Sequence, residues 1–404
     1  MNDISRRRLL GYGAGATALG LLPIPGLAQP VSGGRLVISQ FPEPTMLTAA
    51  LLSSAATNNI SPKMFDGLCY YDLETLEPKP QLAESWEQSA DGKTITFNLR
   101  RNVKWHDGEP FTSADVVFSF QQVLLNYSSR GKAIFATVTS FEAPDPHTVV
   151  LTLSDPAPYI MAGLASWISQ IVPKHIYEGT DFMTNPHNVD PIGTGPYKLA
   201  EWERGNYLRL ERNPDYWDDG KPYLDQIIYR FLPDAASRVT SLEAEDLHVV
   251  AESKVPGSDL VRLQDVPYLD FSTEGYALLG SNQFFQFNLA NPLFQDVRVR
   301  RAFAHAIDRD FIVKNIWYGY GVASVSPIPE SLSTFFSSDV PVYEFDPEKA
   351  EALLDEAGYP RKEDGTRFTI SHDAAQNGEQ FPRTAEYIRD ALGKVGIVVD
   401  VRVS

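Results

Sequence analysis

The stretch from Pro191 to Asp234 is the part of the chain that most constrains its fold. Gly193 and Gly195 stand just before a proline, which predicts a tight or left-handed turn followed by a strand. Two later runs alternate between apolar and polar residues, which predicts two strands that each bury one face. The apolar positions of these runs are Leu208, Leu210, Ile227, Tyr229 and Phe231. We therefore expect this stretch to form a compact β unit.

The same stretch is unusually rich in aromatic side chains. Large aromatic residues are most often used to fill a hydrophobic core, so we expect these to plug the core of one lobe rather than to contact a ligand. They are Trp202, Tyr207, Tyr216, Trp217 and Tyr223.

Three short phrases within this stretch carry a family resemblance. They are Gly193–Tyr197 (GTGPY), Asn213–Trp217 (NPDYW) and Gly220–Asp225 (GKPYLD), in this order and at close spacing. Together they resemble the central segment of the family 5 solute-binding proteins, which serve bacterial peptide, dipeptide, nickel and opine ABC importers. Leu82–Phe120 and Asp296–Arg309 resemble further segments of the same family.

The resemblance implies an α/β fold of the type II periplasmic binding protein class, with two lobes joined by a hinge. We expect lobe 1 to comprise 29–72 and 190–280, with 73–189 as a subdomain inserted in it. Lobe 2 would comprise 281–404. The family's chain continues past this point, so we expect lobe 2 to be incomplete and a C-terminal part to be missing.

Residues 1–28 have the composition of an export signal. Arg6 and Arg7 lie in a positively charged start, and Leu9–Leu22 is apolar but too short for a membrane span. Small residues at the end of the segment predict cleavage before Gln29. The start resembles a twin-arginine signal, and a general secretory signal with a basic start is the alternative. Either signal predicts a periplasmic protein.

Composition and motif content exclude several functional classes. The net charge of −17 argues against nucleic acid or an anionic membrane as the main partner. Cys69 is the single cysteine, which excludes a disulfide framework and a cysteine-based zinc site. The seven histidines are scattered singly, so we expect no metal site and no cofactor. The nucleophile, phosphate-binding and zinc-protease motifs are missing, so we expect no enzymatic activity.

Local signals predict several further elements. Asp91-Gly92 indicates a hairpin turn, and Thr112 with Asp115 forms the capping box of a helix. His106 beside Asp107 could indicate a metal or acid–base pair, but a histidine packed beside a turn is the preferred interpretation.

In the second half of the chain, Asp296 and Asp346 are predicted helix caps. Phe368 to Val403 predicts a βαβ unit. Gln283–Asn288 predicts a strand that is buried on both faces. Glu243–Leu247 lacks the glycine that the family carries at this turn, which leaves the geometry of the turn open.

We expect the solute to bind where the lobes face each other, at strand ends. The candidate ligand-binding residues at such positions are Glu43, Tyr197, Phe285 and Asn288. A plain strand exit with a solvated Glu43 is the alternative for the first of them. The resemblance implies a monomeric protein that captures peptides or opine-like solutes by hinge closure and delivers them to an ABC permease. A binder of nickel-type metal chelates is the alternative, and an extracytoplasmic hydrolase is a remote one.

Overall fold

The computed structural model describes residues 31–403, apart from 73–74, 76, 252–254, 273–281, 334 and 376–377. The predicted signal, with Arg6 and Arg7, and the predicted cleavage before Gln29 lie outside the described residues. None of the helices in the described residues combines the length and apolar character needed to cross a membrane.

The described residues form a mixture of strands and helices, which follow one another mostly in short runs of one type. The strands are β1 (Arg35–Gln40), β2 (Cys69–Tyr71), β3 (Pro78–Pro80), β4 (Ala83–Gln88), β5 (Thr94–Leu99), β6 (Val138–Asp145), β7 (Thr148–Leu153), β8 (Tyr197–Glu203), β9 (Tyr207–Arg212), β10 (Gln226–Phe231), β11 (Val249–Val250), β12 (Phe368–Ala374) and β13 (Ile397–Val403). The helices are α1 (Ala55–Ile60), α2 (Ser113–Phe118), α3 (Leu125–Tyr127), α4 (Ser129–Ile134), α5 (Lys174–Tyr177), α6 (Ala235–Glu243), α7 (Gly257–Leu263), α8 (Val297–Ala306), α9 (Arg309–Phe311), α10 (Pro347–Glu356) and α11 (Gln380–Lys394).

The predicted β unit lies within a five-stranded mixed sheet with the order β11-β1-β10-β9-β8. β1 is parallel to β10 and β11, whereas β10, β9 and β8 are antiparallel neighbours. The predicted alternation is confirmed, since Leu208 and Leu210 are fully buried and Ile227, Tyr229 and Phe231 face the same core. The 35–40 and 197–250 segments therefore join in one sheet although about 150 residues separate them.

The segment between β1 and β8 forms a second, antiparallel sheet with the order β4-β5-β7-β6. The predicted hairpin joins β4 to β5, and the predicted capping box of Thr112 and Asp115 begins α2. A π-helical segment, Ser119–Leu124, connects α2 to α3. Residues of the chain between β1 and β8 and residues of the five-stranded sheet pack into one continuous apolar core. The expected inserted subdomain thus shares its core with the expected lobe 1.

The chain from 294 to 399 builds a separate apolar core. The predicted caps are confirmed, because Asp296 accepts from the amide of Arg298 and Asp346 from the amide of Lys349. β12, α11 and β13 form the predicted βαβ unit, in which the two strands are parallel. α9 continues into a π-helical turn, Ile312–Ile316.

Close backbone contact, rather than a left-handed turn, accounts for Gly193 and Gly195. Neither glycine is among the described residues with positive φ. A Cβ atom on Gly193 would lie 1.9 Å from the carbonyl oxygen of Met64, and one on Gly195 would lie 2.5 Å from its carbonyl carbon. The Gly195 amide donates to the same oxygen over 2.9 Å. The left-handed alternative of the expected turn is wrong, and tight packing against the chain after α1 accounts for both glycines.

Two further expectations need correction. Gln283–Asn288 is neither a strand nor buried on both faces: Phe284 is 64% exposed, and only Phe285 and Phe287 pack against the second core. The aromatic cluster does not fill the core either. Tyr223 is 41% exposed, Trp202 and Trp217 are half-buried against the first core, and Tyr207 and Tyr216 are half-buried.

Candidate functional site

The candidate site is a cavity with a volume of about 2640 Å³. One wall is formed by β11 and α7, which contribute Val250 and Leu263. The facing wall is formed by the 282–289 segment, the end of β12 and the turn after α9, where Trp317 lies. The first wall belongs to a third apolar cluster, in which Val37, Leu242 and Leu263 pack together on the five-stranded sheet. The second wall belongs to the 294–399 core, so a solute in this cavity would contact both parts.

Aromatic and polar groups converge on the second wall. The Phe285 ring lies 4.9 Å from that of His372 and 5.3 Å from that of Phe287. The indole nitrogen of Trp317 donates to Gln283 over 3.1 Å, which ties the turn after α9 to the 282–289 segment. Such a mixture of apolar walls with a few polar groups is typical of ligand sites.

Two of the four predicted ligand-binding residues line this cavity. Phe285 is half-buried against the rings of Phe287 and His372, and Asn288 is exposed. The side-chain oxygen of Asn288 accepts from the amide of Ala290 over 3.1 Å, and its side-chain nitrogen has no hydrogen-bond partner among the described residues.

The other two lie elsewhere and are held by protein groups. Glu43 accepts from the indole of Trp202 and from the amide of Gly205, each over 2.9 Å, and Arg204 lies 3.7 Å away. Tyr197 is 6% exposed, its hydroxyl donates to Leu224, and burial raises its pKa. The structure does not bring either residue to the cavity, and their role as solute ligands stays a prediction.

Several cavity residues were missed by the sequence analysis. Trp317 follows a π-helical turn, and its approach to the 282–289 segment is a tertiary contact. His372 interrupts the apolar face of β12, between Ile370 and Ala374. That interruption is a weak signal, since a polar residue on a buried strand face needs a partner.

Two buried ionisable groups lie outside the cavity and hold the framework. Asp66 accepts hydrogen bonds from four side chains, and burial raises its pKa to about 6. His106 accepts from the amide of Gly193 over 3.2 Å and donates to the carbonyl of Gly195 over 3.0 Å. Burial lowers the pKa of His106 to about 4. The expected packing of His106 beside a turn is confirmed, and the ring is neutral at neutral pH.

Metal binding by protein side chains finds no support within the described residues. They contain no group of three or more histidine, cysteine, aspartate or glutamate residues that could hold a metal ion. Cys69 is a buried free cysteine, and burial raises the pKa of its thiol to about 12.

Comparison with known proteins identifies the family. Residues 77–404 match the bacterial extracellular solute-binding proteins, family 5 Middle. The oligopeptide-binding protein AppA of Bacillus subtilis (strain 168) is 32% identical over 394 residues, which are 93% of this chain and 70% of AppA. The dipeptide-binding protein of Escherichia coli (strain K12) is 30% identical over 393 residues, 92% of this chain and 72% of that protein.

Solved structures show the same likeness. DppA from Helicobacter pylori in complex with the peptide STSA has a TM-score of 0.79 at 27% identity, and the match covers 93% of this chain and 75% of DppA. NikZ from Campylobacter jejuni in complex with Ni(L-His) has a TM-score of 0.78 at 27% identity, covering 92% and 73%. AgaA from A. tumefacien R10 in complex with agropinic acid has a TM-score of 0.73 at 31% identity, covering 92% and 72%. The fold is therefore that of the type II periplasmic binding proteins, and the chain belongs to family 5 of the bacterial extracellular solute-binding proteins.

Proposed function

We propose that this protein captures a peptide or an opine-like solute and delivers it to the permease of an ABC importer. The observation that carries the proposal is the cavity between the apolar cluster on the five-stranded sheet, which contributes Val250, and the 294–399 part, which contributes Phe285 and Asn288. A solute that contacts both walls stabilises the closed arrangement by its differential affinity for it. Capture of this kind needs no covalent chemistry.

The relatives support a peptide as the leading class of solute. AppA and the Escherichia coli relative, at 32% and 30% identity, are named for oligopeptides and dipeptides, and DppA was solved with a tetrapeptide. AgaA, solved with agropinic acid, supports the opine-like alternative. The cavity exceeds the about 1,000 Å³ of the largest pockets for single small molecules, which favours an extended solute.

The remaining parts of the proposal concern the setting. The protein acts in the periplasm as a monomer, and its partner is a permease in the inner membrane. The boundaries proposed for its parts are 29–72 and 190–280 for lobe 1, 73–189 for the inserted subdomain and 281–404 for lobe 2. A hinge between the lobes provides the closure.

A metal-chelate binder is the second candidate. NikZ, of similar fold, was solved with nickel held by free histidine, so a chelate can be a solute without a metal site made of side chains. The aromatic groups of the second wall, Phe285 and Trp317, would pack on such a chelate. A hydrolase remains a remote third candidate, because the sequence offers no nucleophile motif.

A thermal-shift screen separates these candidates. The residue 29–404 protein is tested with di- to pentapeptides, agropinic acid and nickel–histidine, because a ligand of the native state stabilises it by about 2.7 kcal/mol at 100 times its dissociation constant. Native mass spectrometry of protein purified without denaturation identifies any solute that it retains. A shift with peptides supports the proposal, a shift with nickel–histidine alone supports the chelate, and turnover of a glycoside without any binding supports the hydrolase.

Asn288 offers a local test of the cavity. Asn288→Ala removes an exposed amide at the wall, and we expect about fivefold to tenfold weaker peptide binding. Asn315→Ala is the matched control, because Asn315 is also exposed and lies outside the cavity wall, and its side chain bonds to the Phe311 carbonyl alone among the described residues. Equal affinities of the two variants would remove Asn288 from the site.

A further inference from the structure

A ring of contacts joins the start of α7 to the turn after α9 and to the start of α11. The amide of Gly257 donates to Oε1 of Glu379 over 3.1 Å. Oε2 of Glu379 pairs with Arg383 over 3.0 Å, and Arg383 donates to the hydroxyl of Tyr318 over 2.9 Å. The ring of Tyr318 lies against Gly257, so each of the four residues contacts the next. We call Gly257, Tyr318, Glu379 and Arg383 the latch.

Tyr318 and Gly257 fit together because Gly257 has no side chain. A Cβ atom on Gly257 would lie 2.1 Å from Cδ2 and 2.4 Å from Cε2 of the Tyr318 ring, which is closer than a real Cβ atom approaches. Tyr318 itself takes the left-handed conformation, with φ of 52°, which is uncommon for a residue with a Cβ. Such strain persists only where the surrounding structure holds it, and it clusters at functional segments. Both features indicate that this contact is specific.

Glu379 supplies the acceptor that the start of α7 lacks. The N-cap residue, Pro256, makes no side-chain hydrogen bond, and the amide of Gly257 has no other hydrogen-bond partner among the described residues. A carboxylate near the first turn of a helix also interacts favourably with the partial positive charge there. Glu379 is half-buried, so solvent and salt screen this interaction less than at an open surface.

The latch crosses the boundary between the proposed lobes but stays outside the cavity wall. Gly257 belongs to the proposed lobe 1, and the other three residues belong to the proposed lobe 2. None of the four lines the cavity, whereas Gln264 and Tyr320, which are hydrogen-bonded across the same boundary, both do. The latch therefore acts on a solute only through the relative position of the two walls.

We propose that the latch holds the two lobes together in the ligand-free protein and thereby raises the affinity for the solute, an inference that rests on the proposed function. A solute that needs both walls binds the closed arrangement, and its apparent dissociation constant rises as the closed fraction falls. Contacts that keep the closed arrangement populated before binding remove part of that loss. The latch is thus a regulatory device of the cavity that takes no part in contacting the solute.

The contact between Gly257 and Tyr318 provides the first test. Gly257→Ala places a methyl group where the Tyr318 ring lies, yet alanine forms helices better than glycine, so α7 itself is not weakened. Gly393→Ala is the matched control, because Gly393 lies in α11 and a Cβ atom there meets nothing within 4 Å. Tyr318→Gly removes the ring, so adding Gly257→Ala to that variant should change nothing further.

The carboxylate provides the second test. Glu379→Ala removes the acceptor of the Gly257 amide and the partner of Arg383. Glu386→Ala is the matched control, because Glu386 pairs with Arg389 within the same helix and lies outside the cavity wall. Small-angle X-ray scattering gives the radius of gyration of each ligand-free 29–404 variant. Calorimetry gives its affinity for the peptide Ser-Thr-Ser-Ala, and thermal unfolding gives its stability.

We expect Gly257→Ala and Glu379→Ala to have a larger ligand-free radius of gyration than the wild type and to bind the peptide about fivefold more weakly. Both controls should match the wild type, and each latch variant should unfold at the temperature of its control. An unchanged radius in both latch variants, or a lower unfolding temperature without a larger radius, would overturn the inference. The scattering needs no solute. A larger radius in a protein that binds none of the screened solutes would therefore overturn the proposed function and the effect on affinity, while the role of the latch in holding the lobes would stand.

Discussion

The indole nitrogen of Trp217 donates a hydrogen bond to the buried carboxylate of Asp66 over 2.9 Å. Tyr216 and Thr194 donate to the same carboxylate over 3.3 and 3.2 Å. Gln81 completes the set of donors over 2.7 Å. Asp66 therefore joins the 193–197 and 213–217 phrases, which explains physically why the two occur together.

Replacing Trp217 by Phe should lower the free energy of unfolding, because it removes a donor to a buried carboxylate. Trp167→Phe is the matched control. Its indole nitrogen has no hydrogen bond within the described residues, it is likewise half-buried, and an arginine also lies over its ring. We expect Trp217→Phe to cost about 1.5–3 kcal/mol more than Trp167→Phe in urea unfolding. Equal losses would show that the hydrogen bond contributes nothing.

His106 predicts a loss of stability in acid. Its pKa is lowered to about 4 in the folded state, against 6.5 for an ordinary histidine. A histidine whose pKa is lowered by folding contributes fully above about pH 6.5, and the contribution is lost as the pH falls towards 4. The loss amounts to about 3 kcal/mol, at 1.36 kcal/mol for each pKa unit.

The wild-type protein hides this loss, because Asp66 acts in the opposite direction. The pKa of Asp66 is raised to about 6, so the fold becomes more stable as the pH falls from 6 towards 4. The test compares the wild type with His106→Gln, since the contribution of Asp66 is present in both. We expect the wild type to lose about 3 kcal/mol relative to the variant between pH 7 and pH 4. Parallel curves of unfolding free energy against pH would contradict the prediction.

Glu245 takes the left-handed conformation, with φ of 58°, at the turn where the family carries a glycine. The structure thus settles the geometry of that turn, in which Glu245 itself adopts the left-handed conformation. This conformation costs a residue with a Cβ about 1–2 kcal/mol, a cost that glycine avoids. Glycine also gives the unfolded chain more conformational freedom, which offsets part of this gain. Glu245→Gly should stabilise by up to about 1 kcal/mol in thermal unfolding. Glu245→Ala is the control, and an equal gain in that variant would contradict the explanation.

Export through the twin-arginine route is predicted from Arg6 and Arg7. Changing both to Lys keeps the positive charge but removes the arginine pair, so precursor should accumulate in the cytoplasm. Fractionation and immunoblotting measure the distribution. A control in which Arg8 alone becomes Lys should export normally. A normal periplasmic yield from the double variant would favour the general secretory route.

Local chemistry was readable from the sequence. The strand faces of β9 and β10, the capping box of Thr112 and the caps Asp296 and Asp346 depend on neighbours a few residues away, so pattern and propensity predict them. The family phrases are also local, and they led to the fold class and to the general function.

Only the tertiary structure decided what each framework residue touches. Gly193 and Gly195 are needed for their contact with Met64, more than 120 residues away in the chain, and no turn rule contains that contact. Gln283–Asn288 has the pattern of a buried strand but is not paired as one, since strand pairing depends on a partner that the pattern does not specify.

The candidate site shows the same division. Phe285 and Asn288 could be named from their position near a predicted strand end. Glu43 has a similar position in the sequence, but its carboxylate is hydrogen-bonded by Trp202 and Gly205. His372 could not be named, because its place in the cavity wall depends on which groups surround it in space. Sequence by itself determined the elements and the family. The fold decided which polar groups are already paired and which remain free for a solute, because hydrogen bonds between distant residues form only when the chain has packed.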